Sequence, residues 1–381
     1  MRTRRLIAVL LAAAMAFSLA ACGREAASSS SSQPTAGGEG IVQPEDKPTP
    51  QVNLITGEAL GEGMTPGQRP VAIMINNAQA ALPQRGIGSA DAILEMETEG
   101  GVTRFLALFA NAASIPQVGP VRSSRDQHLQ FVLPLNAIFV HIGSSIYAQN
   151  LLNQYQYQDI DGLYLGVTSF LLDEERRKTR GQEHCWYTDA ALIAAGMEQN
   201  GLAADGAKNT LLPFLSPDAS SMTPQDGDAP GISFNASATT SVQLTYDAAS
   251  GTYLKNAYGS AQIDESTGAQ LAFRNVLVLF ATVTLKPDGN CTDFDLTGGE
   301  GYYCWGGKYQ KIRWEKGDVT EPLRLFDADG NELSVNTGKS YIAVISETRR
   351  ADIAFGGLKV EAAPEAAASG SAAPASGSTA E

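Results

Sequence analysis

The sequence has few of the residues and motifs that catalytic and metal sites most often use. Its 381 residues include four cysteines and three histidines. The histidines, His128, His141 and His184, lack the spacing of a zinc site. The GxSxG, Walker A and HExxH motifs are also missing. These absences exclude the common serine-hydrolase, P-loop and zinc-protease signatures, and we expect neither a metal nor another cofactor.

The apolar run at the N-terminus, residues 6–21, is too short to cross a membrane comfortably. Three arginines precede it, and it ends in the sequence LAACG, which contains Cys22. This combination is typical of a bacterial lipoprotein signal. We therefore expect cleavage before Cys22, a lipid on its thiol, and anchoring to the outer face of the bacterial cytoplasmic membrane. An ordinary secretory signal would keep the export and lose only the anchor.

Positive charge is scarce, because 27 basic residues face 41 acidic residues and the net charge is −14. Removing residues 1–21 takes away three arginines and leaves 24 basic residues against 41 acidic ones, a net charge of −17. Nucleic-acid binding depends on positive charge against the phosphate backbone. We therefore expect no nucleic-acid partner, and a membrane contact made through the lipid on Cys22.

Export places the remaining cysteines in a compartment where they can oxidise. Without Cys22 they number three, so they cannot all pair. Cys291 and Cys304 lie thirteen residues apart in a strand-rich region, and we expect them to form a disulfide. Cys185 then becomes a free thiol that we expect to be buried rather than reactive.

Composition and hydrophobic periodicity divide the chain into segments. The fold class we expect is α/β (mixed-sheet α+β) in the N-terminal domain, followed by a mostly β C-terminal domain. The segments are a signal peptide (1–21), a lipidated cysteine with a disordered tether (22–52), a mixed α/β domain (53–203), a linker (204–231), a β-rich domain (232–358) and a disordered tail (359–381).

The stretch 91–125 predicts a β-hairpin around Gly100-Gly101, since glycine accepts the positive φ of tight hairpin turns. With these two glycines as the whole turn, Glu97 faces Arg104, and Glu95 and Glu99 lie on the same face. One interpretation is a solvated polar face. The other is a carboxylate site whose charge is held by Arg104.

The next segment, GPVRSSR, predicts a turn followed by a helix capped by Ser123 or Ser124. Arg122 and Arg125 flank that helix start, where free backbone N–H groups can bind an anion. The alternative is a capped helix with two surface arginines. Residues 85–180 contain seven arginines and one lysine, which favours recognition of carboxylate or phosphate.

These patterns lead to three functional hypotheses. The favoured one is a surface lipoprotein that binds an anionic small molecule or a peptide-like envelope fragment; its expected ligand-binding residues are Arg104, Arg122, Ser123, Ser124 and Arg125. The second is an enzyme acting on an envelope polymer, with Glu95 or Glu97 as general acid or base and His141 assisting. The third is a protein-interaction scaffold. In the first two, the site lies beyond the C-terminal end of the strand that carries His141.

Several segments carry a resemblance to a known family. They are NLITGE, RPVAIMINN, PQRGIGSADAILEMETEGGVTRFLALF, GPVRSSR, FVHIGSS, HCWYTD and FRNVLVLF, with a later Gly-Lys-Tyr and Ile-Arg-Trp run. In this order the chain resembles the YerB-like lipoprotein family, a two-part domain of unknown function 3048, over about residues 55–198 and 232–346. The resemblance implies a mixed α/β part, a β-rich part and attachment to bacterial membranes. It implies no established activity.

Overall fold

The computed structural model describes residues 51–356 and the backbone of residues 358–359. The expected signal peptide, the lipid attachment at Cys22, nearly all of the tether and the tail beyond residue 359 lie outside the described residues. No helix within residues 51–356 is long and apolar enough to cross a lipid bilayer.

The N-terminal part mixes strands with all five α-helices of the described chain. Its strands are β1 Val71–Asn76, β2 Ala92–Glu97, β3 Thr103–Phe109, β4 Ile138–His141, β5 Ile160–Asp161, β6 Leu171–Leu172 and β7 Trp186–Tyr187. Its helices are α1 Asp126–Val132, α2 Ile146–Gln154, α3 Gly162–Leu165, α4 Glu174–Arg180 and α5 Ala190–Asn200.

The C-terminal part consists mostly of strands. They are β8 Gly227–Asp228, β9 Gly231–Asn235, β10 Ser241–Asp247, β11 Thr252–Ala257, β12 Ser260–Ala261, β13 Ala272–Phe273, β14 Asn275–Leu285, β15 Thr292–Asp295, β16 Gly298–Trp305, β17 Lys308–Lys316, β18 Leu323–Phe326, β19 Ser340–Ser346, β20 Ala354–Phe355 and β21 Leu358–Lys359.

One large sheet runs through both parts of the chain in the order β18-β17-β16-β14-β19-β2-β3-β1-β4-β5. The two parts meet where β19 pairs in parallel with β2. A smaller sheet, in the order β12-β11-β10-β9-β20-β21, is built from the C-terminal part alone. The expected two-part fold class, a mixed sheet with helices followed by a mostly β region, is confirmed.

The large sheet is covered on both faces, which explains the apolar runs of its central strands. Side chains such as Ile73 and Phe105 point from one face toward the small sheet, where they join a core with Phe234 and Tyr253. The opposite face packs against α1 and α2; its core includes Met74, Leu94, Leu106, Leu129 and Leu152. Residues on neighbouring strand positions therefore enter two separate cores.

Most strand positions agree with the sequence pattern. The apolar run VAIMIN forms β1, with all six side chains buried. The longer strands of the β-rich domain expected at 232–358 are β10, β14, β16, β17 and β19. The Asp189 carboxylate accepts a hydrogen bond from the Leu192 N–H and caps α5, a role for which aspartate is well suited.

The hairpin register, however, was predicted wrongly by one residue. Gly100 and Gly101 have the expected positive φ, of 73° and 72°. The loop also includes Glu99, because the Thr98 N–H donates to the Val102 carbonyl at 2.8 Å. As a result Met96, not Glu97, faces Arg104. A one-residue shift moves a side chain to the other face of the sheet, so Arg104 lies on the face opposite Glu95.

The expected disulfide is also contradicted, because Cys291 and Cys304 are both free and buried. Cys291 precedes Thr292, which pairs with Leu285 at one end of β14. Cys304 pairs with Val276 near the other end. Those positions on β14 are separated by roughly 30 Å at about 3.4 Å per residue, far beyond the ~7 Å between Cα atoms that a disulfide allows. Cys185 is free and buried as well.

Candidate functional site

The GPVRSSR segment lies across the carboxyl ends of two parallel strands, β1 and β4. Beside β1, the Arg122 N–H donates to the Met74 carbonyl at 2.9 Å. Beside β4, the Ser124 N–H donates to the Gly143 carbonyl at 2.9 Å. This backbone pairing fixes the position of three successive polar side chains, Arg122, Ser123 and Ser124, at that edge of the sheet.

Two arginines from different elements share one carboxylate at this edge. Arg104 Nη2 donates to Glu99 Oε1 at 3.0 Å. Arg125 Nε donates to Glu99 Oε2 at 2.8 Å, and Arg125 Nη2 donates to Glu99 Oε1. Arg104 Nη1 also donates to the Ser123 carbonyl at 2.8 Å, which ties the hairpin to the GPVRSSR segment. The Glu99 carboxylate therefore bridges two guanidinium groups.

The charges in this cluster are strongly coupled. Partial burial opposes ionisation of Glu99, but the hydrogen bond from Arg125 and the charges of Arg104 and Arg125 outweigh it and lower its pKa to about 2. Burial, followed by the charge of Arg125, lowers the pKa of Arg104 to about 9, and Arg122 contributes to the same direction. His128 is fully buried nearby; burial and the two arginine charges lower its pKa to about 3, so it is neutral at pH 7.

Arg122 lies on the outer side of the cluster. Its Nη2 is 3.0 Å from Glu183 Oε2, but the Glu183 side chain is 68% exposed, so this pair is weakened by solvent. His184 follows Glu183, and its Nδ1 lies 2.8 Å from Asn76 Nδ2. Burial and then the charge of Arg122 lower the pKa of His184. Arg122 is the most accessible of the three arginines, with 22% of its side chain exposed.

The helix that follows the segment is not capped as expected. Arg125 occupies the N-cap of α1 and makes no side-chain capping bond, so neither Ser123 nor Ser124 serves as the cap. Ser124 is fully buried, and its Oγ has no hydrogen-bond partner within the described chain. Ser123 is half-buried and contributes its carbonyl to Arg104.

Glu95 lies in a different environment from the arginines. It is fully buried, and its Oε1 accepts hydrogen bonds from Thr103 Oγ1 at 2.6 Å and from Asn77 Nδ2 at 2.9 Å. Its Oε2 accepts from Tyr341 Oη at 2.5 Å and lies 3.4 Å from Lys255 Nζ. Glu95 therefore links the two parts of the chain inside the core, where no solvent or substrate reaches it.

Glu97 is on the Glu95 face, at the end of β2. Its Oε2 lies 3.8 Å from Arg349 Nη2, a long ion pair, and burial raises its pKa. The predicted contact between Glu97 and Arg104 is absent because of the register shift, and Glu99 in the hairpin loop takes that place.

His141 is buried and has partners at both ring nitrogens. Its Nδ1 lies 2.8 Å from the Gly143 carbonyl and its Nε2 lies 2.9 Å from Asp159 Oδ2. β4 is three strands from β2 in the large sheet. His141 follows Val140, which pairs with Ile73, so its side chain is on the same face of the sheet as those of Met74 and Leu94. That face is opposite the one that carries Glu95. The structure does not bring these two residues together as an acid–base pair.

The arginines lie in one region, but the carboxylate that pairs with Arg104 and Arg125 is Glu99 rather than the expected Glu97. Glu99 was assigned to the face of Glu95 and Glu97, although its position beside two glycines is a signal for a loop. His128 lies in the first turn of α1, three residues after Arg125, and no local pattern marks it as part of the cluster. The binding roles of Arg104, Arg122, Ser123, Ser124 and Arg125 stay predictions.

Comparison with known proteins gives a consistent set of matches. The model of the family described as "Protein of unknown function (DUF3048) N-terminal domain" matches residues 55–203, and that of its C-terminal domain matches residues 232–342. The Bacillus subtilis (strain 168) protein named "Putative lipoprotein YerB" is 29% identical over 293 residues, or 76% of this chain and 85% of that protein. A crystal structure of YerB from Bacillus subtilis superimposes with a TM-score of 0.66 at 27% identity, over 78% of this chain and 97% of the other.

Proposed function

The chain belongs to the DUF3048 family, and we propose that it is a bacterial envelope lipoprotein that binds an anionic ligand through Arg104, Arg122 and Arg125. This proposal joins the similarity to a protein named as a lipoprotein with the arginine cluster at the edge of the large sheet. The lipid on Cys22 would hold the protein at the outer face of the cytoplasmic membrane. The arginines would supply its recognition chemistry.

The proposal depends mainly on the cluster of three guanidinium groups, of which two, those of Arg104 and Arg125, share the carboxylate of Glu99. Glu99 accepts hydrogen bonds from some of the N–H groups of Arg104 and Arg125, whereas the partner of Arg122 is the mostly exposed Glu183. The low pKa of Arg104, about 9, reflects burial together with repulsion by Arg125 and Arg122. A second anion beside these groups would relieve that repulsion, because opposite charges favour the protonated guanidinium.

The geometry favours a carboxylate or phosphate as the bound group. A guanidinium presents a planar fork of N–H donors that matches two oxygens of such an anion, which an ammonium group cannot do. Peptide-like envelope fragments carry carboxylates, and many envelope polymers carry phosphates. The unpaired Ser124 Oγ lies in the same segment, although it is buried.

Binding can be tested by calorimetric titration of the full chain in detergent with purified cell-wall muropeptides, citrate and inorganic phosphate. We expect at least one of these anions to bind. We expect Arg122→Lys to weaken that binding about tenfold, because it keeps the charge and removes the fork, at a cost of ~1.4 kcal/mol. Arg324→Lys is the matched control, since Arg324 pairs with Glu332 on the exposed surface of the C-terminal part.

Equal binding by wild type, Arg122→Lys and Arg324→Lys would show that the arginine cluster is not the site. Absence of binding by all three anions would remove the proposed function. We do not extend the proposal to a hydrolase using Glu95 and His141. One of these residues is fully buried between the sheets, and the other lies on the opposite face of the large sheet.

A further inference from the structure

Exposed apolar side chains are concentrated beside the arginine cluster. Five large hydrophobic residues are strongly exposed in the described chain, and four of them flank one short region. These four, which we call the apolar patch, are Ile146 (63% exposed), Leu163 (70%), Tyr164 (81%) and Val167 (79%). The fifth, Leu285, lies at the end of β14. Single exposed hydrophobic residues are ordinary, whereas several together indicate an interaction surface.

Gly143 connects this patch to the arginine segment. A Cβ atom added at Gly143 would lie 3.3 Å from Leu163 Cδ1 and 3.5 Å from Ser123 Oγ, so both side chains border the same glycine. The Ser123 carbonyl accepts a hydrogen bond from Arg104. The Arg122 carbonyl accepts one from the Ile142 N–H, which directly precedes Gly143. The patch and the cluster are therefore adjacent surfaces.

The local fold holds the patch outward. The Asp161 carboxylate accepts hydrogen bonds from the N–H groups of Gly143, at 2.7 Å, and Leu163, at 2.9 Å, which fixes α3 against the end of β4. Leu165 from the same helix is buried and anchors it in the core. Tyr164 and Val167 then project into solvent. Such exposure costs free energy, at ~25 cal/mol per Å² of apolar surface left in water.

We infer that the patch and the arginine cluster together bind a peptide segment of a partner protein in which a carboxylate lies next to aliphatic or aromatic side chains. This inference rests on the proposed function and specifies its ligand. The carboxylate would lie against Arg122 and its neighbours. The adjacent apolar side chains of the segment would cover Leu163, Tyr164 and Val167.

Charge and accessibility favour a peptide over a lipid surface. Arg104 and Arg125 are recessed, with only 5% and 11% of their side chains exposed. A single projecting carboxylate can approach Arg122 on the exposed side of the cluster. A flat layer of lipid headgroups would instead need cations that protrude from the protein surface in order to contact them. Glu183, which pairs with Arg122 and is mostly exposed, would repel a layer of anionic headgroups.

The test uses four short fluorescent peptides and fluorescence anisotropy on the full chain in detergent. One peptide carries glutamate flanked by leucine and tyrosine. The second has glutamine in place of glutamate, the third has serines in place of leucine and tyrosine, and the fourth carries both changes. We expect the first peptide to bind most tightly. We expect Tyr164→Ser to weaken it about tenfold, the effect of ~1.4 kcal/mol of lost apolar contact, and Leu285→Ser to leave it unchanged.

The peptide series separates the two proposals. Arg122→Lys is expected to weaken the binding of both glutamate peptides, the first and the third. Tyr164→Ser is expected to weaken the binding of the first alone, because the third lacks the apolar side chains. If the glutamate peptides depend on Arg122 but not on Tyr164, the proposed function stands and the inference is wrong. If the muropeptide, citrate or phosphate titrations are positive while every peptide fails to bind, the inference is also overturned. Quenching of a Tyr164→Trp variant by brominated phospholipids in vesicles would assign the patch to the membrane instead.

Discussion

Lys255 Nζ lies 3.4 Å from Glu95 Oε2, and both side chains are completely buried. The glutamate comes from β2 in the N-terminal part and the lysine from β11 in the small sheet of the C-terminal part. Lys255 also donates to Gln262 Oε1 at 2.8 Å. Burial lowers the pKa of Lys255, while the charge of Glu95 acts to raise it. This ion pair joins the two parts of the chain at their shared core.

The first prediction concerns that pair. We expect Lys255→Met to lower the free energy of unfolding by ~3–5 kcal/mol, because it leaves the Glu95 carboxylate buried without its counter-charge. The double variant Glu95→Gln/Lys255→Met is expected to recover part of this loss. Urea unfolding measures both. Lys308→Met is the control, since Lys308 and its partner Asp228 are exposed, and a loss equal to that of Lys255→Met would disprove the argument.

The strands were predictable because burial on both faces produces continuous apolar sequences, as in β1 and β14. The register of the β2–β3 hairpin was not, since one residue more in the loop decides which side chains share a face. Local patterns also give no information about Lys255, which meets Glu95 only because β19 and the small sheet bring distant segments together.

The candidate site was predictable in part for the same reasons. The order of hairpin, GPVRSSR and the His141 strand correctly suggested that Arg104 and Arg122 lie in one region. The carboxylate expected to pair with Arg104 was Glu97, which is wrong because that pairing depends on the hairpin register. The orientation of Leu163 and Tyr164 beside the arginines depends on the contact between α3 and Gly143, which no periodicity in the sequence reveals.

The second prediction concerns the thiols. We expect Cys185, Cys291 and Cys304 all to react with a thiol reagent after unfolding without prior reduction, and to be protected in the native protein because all three are buried. Burial raises the pKa of each thiol, which lowers its reactivity further. Mass spectrometry after labelling counts the modified cysteines. A mass that shows two cysteines linked in the unreduced protein contradicts the prediction.

The third prediction concerns the membrane anchor. We expect Cys22→Ala to abolish lipidation and to release the protein from the membrane fraction, because the Cys22 thiol is the proposed attachment point for the diacylglycerol. Membrane fractionation and metabolic labelling with a fatty-acid analogue measure this. Cys185→Ala is the control, since that cysteine is buried in the folded part. A Cys22→Ala protein that still incorporates the label would contradict the assignment.

The fourth prediction is a pH dependence. The pKa of Glu99 is about 2 in the folded protein, against an ordinary value of 4.5. Its ionisation therefore stabilises the fold fully above about pH 5, and this contribution is lost as the pH falls from 4.5 toward 2. We expect Glu99→Gln to be less stable than wild type at pH 7, with a difference that shrinks on acidification. Thermal unfolding between pH 2 and pH 7 measures it.

The stability difference between wild type and Glu99→Gln is compared at each pH, because titrations that affect both proteins equally then cancel. The pKa of His128, about 3 against an ordinary 6.5, also lowers the stability of the fold in acid, because between these two pH values the unfolded chain binds a proton that the buried ring does not. Glu174→Gln serves as a control, since Glu174 is exposed and pairs with Arg177 on the surface of α4. A stability difference between wild type and Glu99→Gln that does not change with pH would contradict the assigned pKa.

The last prediction follows from the position of Glu99 as the internal counter-ion of Arg104 and Arg125. An anionic ligand and Glu99 act on the same positive charges, so removing the carboxylate leaves more of that charge for the ligand. We expect Glu99→Gln to unfold at a lower temperature than wild type in chloride and to be stabilised more by added phosphate. The gain in the free energy of unfolding is RT ln(1 + [L]/Kd). A lower Kd for phosphate therefore gives a larger rise in the unfolding temperature at the same phosphate concentration.

Thermal unfolding in phosphate and chloride at matched ionic strength measures this coupling at the proposed anion site. Phosphate also stabilises proteins in general by exclusion from their surface, so the relevant quantity is the difference between variants. Glu300→Gln is the matched control, because Glu300 pairs with Arg350 outside the cluster and is mostly exposed. A phosphate shift that is the same for wild type, Glu99→Gln and Glu300→Gln would mean that Arg104 and Arg125 bind no anion besides Glu99. A larger shift for Glu99→Gln alone would place the phosphate at these two arginines.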